Sequence, residues 1–361
     1  MPSRPAAARP TVALALTVTI GAGLFLLLQI LAGPAPGSPG PRSEKLIFAQ
    51  PQSRAEVMVA RLDGGFFAEI GADPSLGLLR KAYSDNPGGA AFRASRPVTG
   101  WLAWAGSLGG RRPLLAPALF VITALTMGLA TWAVQDGVAA RGNRARFPAV
   151  AVLMPGMLIV MIAPGLCDPL AAAFSVAAFG LNRRGRFGWA VALFSVAMLT
   201  RETTILVAGG VALADMWRSR SLRPALLVAV PVAAFMLWNT VVHQIVGAWF
   251  FQAGAGQMAA PFTGLIDGIA LWGPMEVVTA GVLVVTLVVM WRTGDPELRA
   301  IAAVHVVFAL VMGEIVWKVW WGFGRVLLPV QLLALLALYR PTDQATASTA
   351  DVAGIAAEPS A

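Results

Sequence analysis

The chain has almost none of the residues that build soluble redox or metal sites. Its 361 residues include one cysteine, Cys167, and two histidines, His243 and His305. A lone cysteine excludes an intrachain disulfide and a thiolate-based metal site. The two histidines stand too far apart for a zinc spacing. Charge is scarce as well: Asp, Glu, Lys and Arg make up 12% of the chain, about half of what an average soluble domain carries. No GxxxxGK[ST] loop occurs, and the glycines of "QAGAGQ" (252–257) lack the strand-to-helix context that would give them meaning. Nothing here points to ATP-driven work. The sequence calls for no cofactor and shows no DxD-type metal motif, although a divalent metal is left open.

Apolar residues are what the chain has in excess. They make up 57% of it, and the mean hydropathy is +0.72. Ten runs approach the ~20 apolar residues that cross a hydrocarbon core. They are 11–32, 113–134, 148–164, 168–182, 187–201, 203–217, 223–245, 274–291, 299–317 and 325–340. The expected fold class is an all-α polytopic membrane protein, with one transmembrane domain over 1–340. The first run outlasts the ~7–15-residue core of a signal peptide, so it reads as an uncleaved first span. Residues 33–44, rich in Pro and Gly, read as a linker, and 341–361 as a disordered cytoplasmic tail.

The basic residues set an orientation. A net charge of +9 could suggest nucleic acid, but the arginines recur as short clusters between apolar runs. With a cytoplasmic N-terminus, the cytoplasmic loops hold Arg141/Arg144/Arg146, Arg183/Arg184/Arg186, Arg218/Arg220/Arg223 and Arg292/Arg299, with Arg340 after the last run. The short outer loops hold only Arg201, Lys318 and Arg325. That asymmetry is the positive-inside pattern. The long loop 33–112 is extracytoplasmic and escapes the rule. Within it, "VTGWLAWAGSLGG" (98–110) is too short to span and reads as an interfacial or re-entrant piece anchored by Trp101 and Trp104.

In this frame the scarce polar residues gather on the outer face. They are Asp63, Glu69 and Asp73 in the first loop, Asp168 at the head of the fourth run, and Arg201-Glu202 between the fifth and sixth. Lys318 and Arg325 lie before the last run. Arg binds phosphate through a planar fork of donors and Lys adds a point charge. Both suit the phosphate of a polyprenyl carrier, with Trp317, Trp320 and Trp321 belting the same depth. In "RLDGGFFAEIGADP" (61–74), Gly64 and Gly65 leave bare backbone for a ligand, while Phe66, Phe67 and Ile70 form an apolar face that would lie on the membrane. Asp63, partly desolvated there, is expected to have a raised pKa and to accept a proton from a hydroxyl.

Structural roles compete with each assignment. Asp63 could cap a helix, and Asp168 could cap the fourth run ahead of Pro169. Arg201-Glu202 could pin two helices, and Arg325 could anchor a helix end. Glu69 and Asp73 read as a solvated face, and the histidines as core residues.

At this point a family resemblance enters. "LDGGFFAEIGADP", "RASRPVTGWLAWAGSLG" and "CDPLAAAFSVAAFGLNRRGRFGWAVALFSVAMLTRET" are similar to motifs of the GT-C superfamily, integral membrane glycosyltransferases that use polyprenyl-phosphate sugars. The likeness covers roughly 60–205 and, more faintly, the Arg325 region. It implies Asp63 as catalytic base or as an acid that orients the acceptor, and Arg201, Glu202 and Arg325 at the rim of an active site. It also implies a polyprenyl-phosphate sugar donor, a glycan or lipid acceptor, and a bacterial inner membrane with both termini cytoplasmic. Leu62 and Gly65-Phe66-Phe67 depart from the family's aromatic and Gln-Phe-Tyr positions. A flippase for a lipid-linked intermediate and a non-catalytic relative acting as an assembly partner stay open beside the enzyme.

Overall fold

The computed structural model describes residues 8–33, 47–139, 148–253 and 256–338. The arginines at 141, 144, 146 and 340, most of the linker and the tail lie outside these residues. Among the described residues the fold is all-helical, with a single isolated bridge between Met258 and Met312.

The first helix, α1 (Ala8–Ala32), has no charged residue after Arg9. Leu16, Ile20, Leu24, Leu27, Leu28 and Leu31 stay exposed on it, as suits a helix with lipid on one side. Five short helices then fill the first loop: α2 (Arg54–Val59), α3 (Gly64–Ala72), α4 (Gly77–Ala82), α5 (Pro87–Ala94) and α6 (Pro97–Gly106). Helix α7 (Arg112–Ala139) packs along α1. A Cβ at Gly128 would overlap Thr19 and come within 2.9 Å of the Ala15 carbonyl, so glycine there lets the two backbones meet. Beyond lie α8 (Pro155–Ile162), α9 (Asp168–Arg183), α10 (Phe187–Thr200), α11 (Ile205–Ser219) and α12 (Leu226–Val246). The chain closes with α13 (Thr263–Ile269), α14 (Pro274–Thr293), α15 (Pro296–Val311), α16 (Glu314–Trp317), α17 (Trp320–Val326) and α18 (Leu328–Ala337).

Helices α1, α7, α12 and α14 are long and apolar enough to cross a membrane, and α17 with α18 makes a fifth crossing if the pair, bent by 57°, is one span. The other runs form helices of 8 to 16 residues, short of the ~20 that a straight crossing takes. The run 148–164 is broken at Pro155 into a 3-10 turn and α8, and the run 299–317 breaks after Val311.

Helix α9 is the axis of the bundle. Its Ala-rich sequence is buried along most of its length against α7, α10 and α18. Small side chains permit that close approach on several sides at once. Its two ends, ~24 Å apart at helical rise, carry two separate charged layers. At the Arg183 end, Arg183 pairs with Asp295, Arg184 with Asp136, and Arg218 with Asp215 and Glu297. The other end begins with Asp168.

The first loop differs from expectation in one respect. Phe66, Phe67 and Ile70 are each at most 2% exposed. Helix α3 is covered by α6 and α7 rather than lying on lipid. Gly100 makes this possible, because a Cβ there would sit 2.5 Å from Ile70. Trp101 and Trp104 of α6 remain partly exposed, and Trp101 meets Trp238 of α12 edge-on.

Candidate active site

Three sharp bends place the charged residues at the Asp168 end of α9. The 163–167 turn, with Gly165 in the left-handed region at φ +88°, delivers Asp168 to the first turn of α9. The break between α10 and α11, with Arg201 extended, delivers Arg201 and Glu202. The 57° bend after α17 delivers Arg325. Asp63 comes from the tight entry to α3. Gly64 is bare there for a different reason than ligand access: a Cβ would meet the carbonyls of Val59 at 2.6 Å and Pro164 at 2.7 Å. The glycine lets α3 dock against the turn that leads to Asp168.

These residues form an alternating chain of acid and base. Arg325 donates from Nη1 to Asp63 Oδ2 at 3.0 Å and stands 3.9 Å from Asp168 Oδ2. Arg201 Nε lies 3.2 Å from Asp168 Oδ1 and 3.8 Å from Glu202 Oε1. Arg96 grips Glu202 with both arms of its fork, Nε to Oε2 at 2.7 Å and Nη2 to Oε1 at 2.6 Å. Asp168 and Arg201 are buried, and buried ions of this kind persist only when paired. Neither carboxylate caps a helix: Asp63 and Asp168 make no side-chain capping bond, and both face arginines instead.

A cavity of about 420 Å³ opens against this chain. Asp63, Arg201, Arg325 and Lys318 line it, with Trp321, Gln257 and the apolar Ile315 and Val316. Two further residues, Arg93 and Arg96, line it too, and sequence reasoning misses both. Their signal is a pair of arginines just before Pro97, in the family-like stretch "RASRPVTGWLAWAGSLG" and in a loop where no topogenic rule explains them. The Arg93 guanidinium lies 3.9 Å from the Phe66 ring centroid and Arg96 lies 4.1 Å from Phe92, which holds each flat against an aromatic face. Five cations thus line the cavity with one carboxylate, Asp63, while Asp168 and Glu202 pair with its arginines without lining it.

The Asp63 carboxyl does not behave as the sequence reading expects. Burial pushes its pKa up, but Arg325, Arg93, Arg96 and Arg201 outweigh burial and hold it down at about 2. The raised value is found at Glu69 instead. This residue is buried, not solvated; burial lifts its pKa to about 7 although the Ile47 backbone N–H donates to it. Asp73 does face solvent and accepts bonds from Ser75 and Leu78. Among the tryptophans, Trp321 lines the cavity, but Trp317 is buried against Phe323 and Trp272 and cannot stack on a ligand. His305 is a core residue, its Nδ1 at 2.8 Å from the Ile301 carbonyl, and His243 stacks on Trp249. Among the described residues no group of three or more His, Cys, Asp and Glu could hold a metal ion.

No known protein family, characterised protein or solved structure matches this chain. The GT-C likeness therefore rests on its motifs and on what the cavity can do chemically. A pocket with excess guanidinium, one free-standing lysine at its rim and an apolar wall suits an anion attached to something greasy.

Proposed function

We propose that this chain is an integral membrane glycosyltransferase of the GT-C kind, moving a sugar from a polyprenyl-phosphate donor to an envelope glycan or lipid acceptor. In this reading the ten apolar runs all cross or enter a bacterial inner membrane. Both termini are cytoplasmic and the cavity faces out. The observation that carries the proposal is the meeting of Asp63, Asp168, Arg201, Glu202 and Arg325, from distant parts of the chain, around one cation-rich cavity.

The reaction is an inverting displacement. The acceptor hydroxyl oxygen attacks the anomeric carbon, the bond from that carbon to the phosphate oxygen breaks, and its electron pair leaves with polyprenyl phosphate. The hydroxyl proton passes to Asp63. Arg325 and Lys318 hold the charge that develops on the leaving phosphate. Arg325 is paired with Asp63. A donor phosphate that engages Arg325 draws it from the carboxylate, so the Asp63 pKa climbs as the donor binds and the base is switched on. Asp168 and Glu202 orient Arg201 and Arg96.

Changing Asp63 to Asn should lower transfer by ~10²–10⁴-fold, the usual worth of a general base, while the protein still folds. The test is mass spectrometry of lipid-linked sugars and envelope glycans in a deletion strain complemented with wild type or Asp63→Asn. Restoration of one missing glycan by wild type alone supports the role, and full restoration by the variant removes it. A second reading draws on the Asp63 carboxyl itself: held at about 2 by the arginines around it, it is a weak base, as suits a non-catalytic relative that binds the same lipid anion within an assembly.

A further inference from the structure

The segment between α12 and α14 lends only Gln257 to the charged cavity, yet α13 within it has three distinct faces. At 100° per residue, the faces of this helix fall roughly 120° apart. Gly264 and Gly268 form the first and are buried. A Cβ at Gly264 would lie 2.1 Å from the Met312 carbonyl, and one at Gly268 would lie 2.6 Å from the Trp317 Cβ. The two glycines therefore clamp α13 onto residues 312–317. Ile266 and Ile269 form the second face and are 66% and 49% exposed, and Phe262, just before the helix, is 52% exposed. Thr263 and Asp267 form the third, also exposed.

We propose that α13 is a membrane-surface helix lying in the bilayer–water interface, with Phe262, Ile266 and Ile269 in the acyl boundary and Thr263 and Asp267 in water. The occupant of the apolar face is lipid because that face continues onto α14. This candidate span starts five residues after α13 and leaves Met275, Val277 and Val278 about half exposed at the same end. A helix with protein, lipid and water on three sides has one stable place in a membrane protein, the interface. Phe262 adds a second sign. Its backbone sits in the left-handed region at φ +69°, a costly conformation for a bulky residue. The Phe262 N–H, donating to the Leu310 carbonyl at 2.7 Å, holds it there, and the ring is turned outward.

The consequence reaches the cavity. Residues 312–317 lead directly into Lys318, and Ile315, Val316 and Lys318 line the cavity wall. The Gln257 carbonyl accepts from the Gly313 N–H, and Gln257 lines the same wall. Helix α13 thereby fixes the cavity's lip at the depth of lipid headgroups, where an anion carried on a lipid can reach it. This inference goes beyond the glycosyl-transfer reading and does not depend on it.

Single spin labels at Ile266→Cys and, separately, Asp267→Cys test it in nanodiscs of phosphatidylcholine and phosphatidylglycerol. Cys167 is buried, so the unsubstituted chain serves as the unlabelled blank. Position 266 should collide several-fold more with dissolved oxygen than with a water-soluble nickel chelate, and position 267 should show the reverse. Equal chelate access at both positions overturns the proposal. So does shielding of 266 from both reagents, which would place a protein partner or a second copy on that face.

Discussion

Asp63 and Glu69 stand six residues apart and have opposite electrostatic fates. Burial raises both, but Asp63 faces Arg325 and three more arginines, whereas Glu69 has only one backbone donor and a more distant Arg112. A sequence shows that an acid is near apolar residues; it does not show which arginines the fold will bring to it. That is why the expected raised pKa belongs to Glu69 and not to Asp63. The sign for stability follows. A carboxyl whose pKa is higher in the folded state favours folding below its unfolded value and loses that contribution as pH rises through the folded one. Glu69 should therefore weaken the fold between roughly pH 4.5 and the folded value of about 7. Changing Glu69 to Gln keeps an acceptor for the Ile47 N–H. It should leave thermal stability at pH 5 unchanged and raise it at pH 8, as read from melting curves in detergent. A wild-type melting curve that does not shift across that range contradicts the assignment.

At the scale of elements, glycines decide what meets what. Gly100 lets α6 close over α3, and Gly64 lets α3 dock on the turn before α9. Replacing Gly100 with Leu should cost about 1–3 kcal/mol by overpacking and should misplace Asp63 through α3, lowering both the melting temperature and activity. Gly281 in α14 has open space around its Cβ position, so Gly281→Ala should keep or raise stability. Equal melting temperatures for the Gly100 and Gly281 variants would contradict this packing. Helix positions were legible from apolar runs because lipid-facing and core-facing residues are both apolar. The same fact hid the breaks: a run such as 299–317 reads as continuous although it folds as α15, a turn and α16. Most of the stretch 98–110 folds as α6, a short, separate helix. The burial of Phe66, Phe67 and Ile70 was not legible, because amphipathic spacing does not say whether lipid or protein covers a face.

Among the described residues, two charged layers sit at the two ends of α9, and Arg183, Arg184 and Arg218 of the positive-inside pattern fall with the layer opposite the cavity. Convergence of Asp63, Asp168, Arg201, Glu202, Lys318 and Arg325 was readable because charge is scarce in the apolar runs they border, although Glu69 and Asp73, grouped with them in the sequence, lie outside the cavity. Arg93 and Arg96 were hidden in a loop where charge is unremarkable. Membrane-impermeant thiol reagents should reach Cys substituted at Glu314 from outside intact cells and Cys at Arg220 only after permeabilisation. The reverse pattern would turn the cavity toward the cytosol and remove any extracytoplasmic reaction.

The central claim is that the cavity takes the phosphate of a prenyl lipid on Arg325 and Lys318. Native mass spectrometry of the purified protein, released from nanodiscs doped with polyprenyl monophosphate, measures this without requiring turnover. Wild type should retain the lipid phosphate and an Arg325→Ala/Lys318→Ala variant should lose at least ~10-fold of it, the effect of forgoing about 1.4 kcal/mol or more of charge-assisted binding. Equal retention by both proteins would contradict the account.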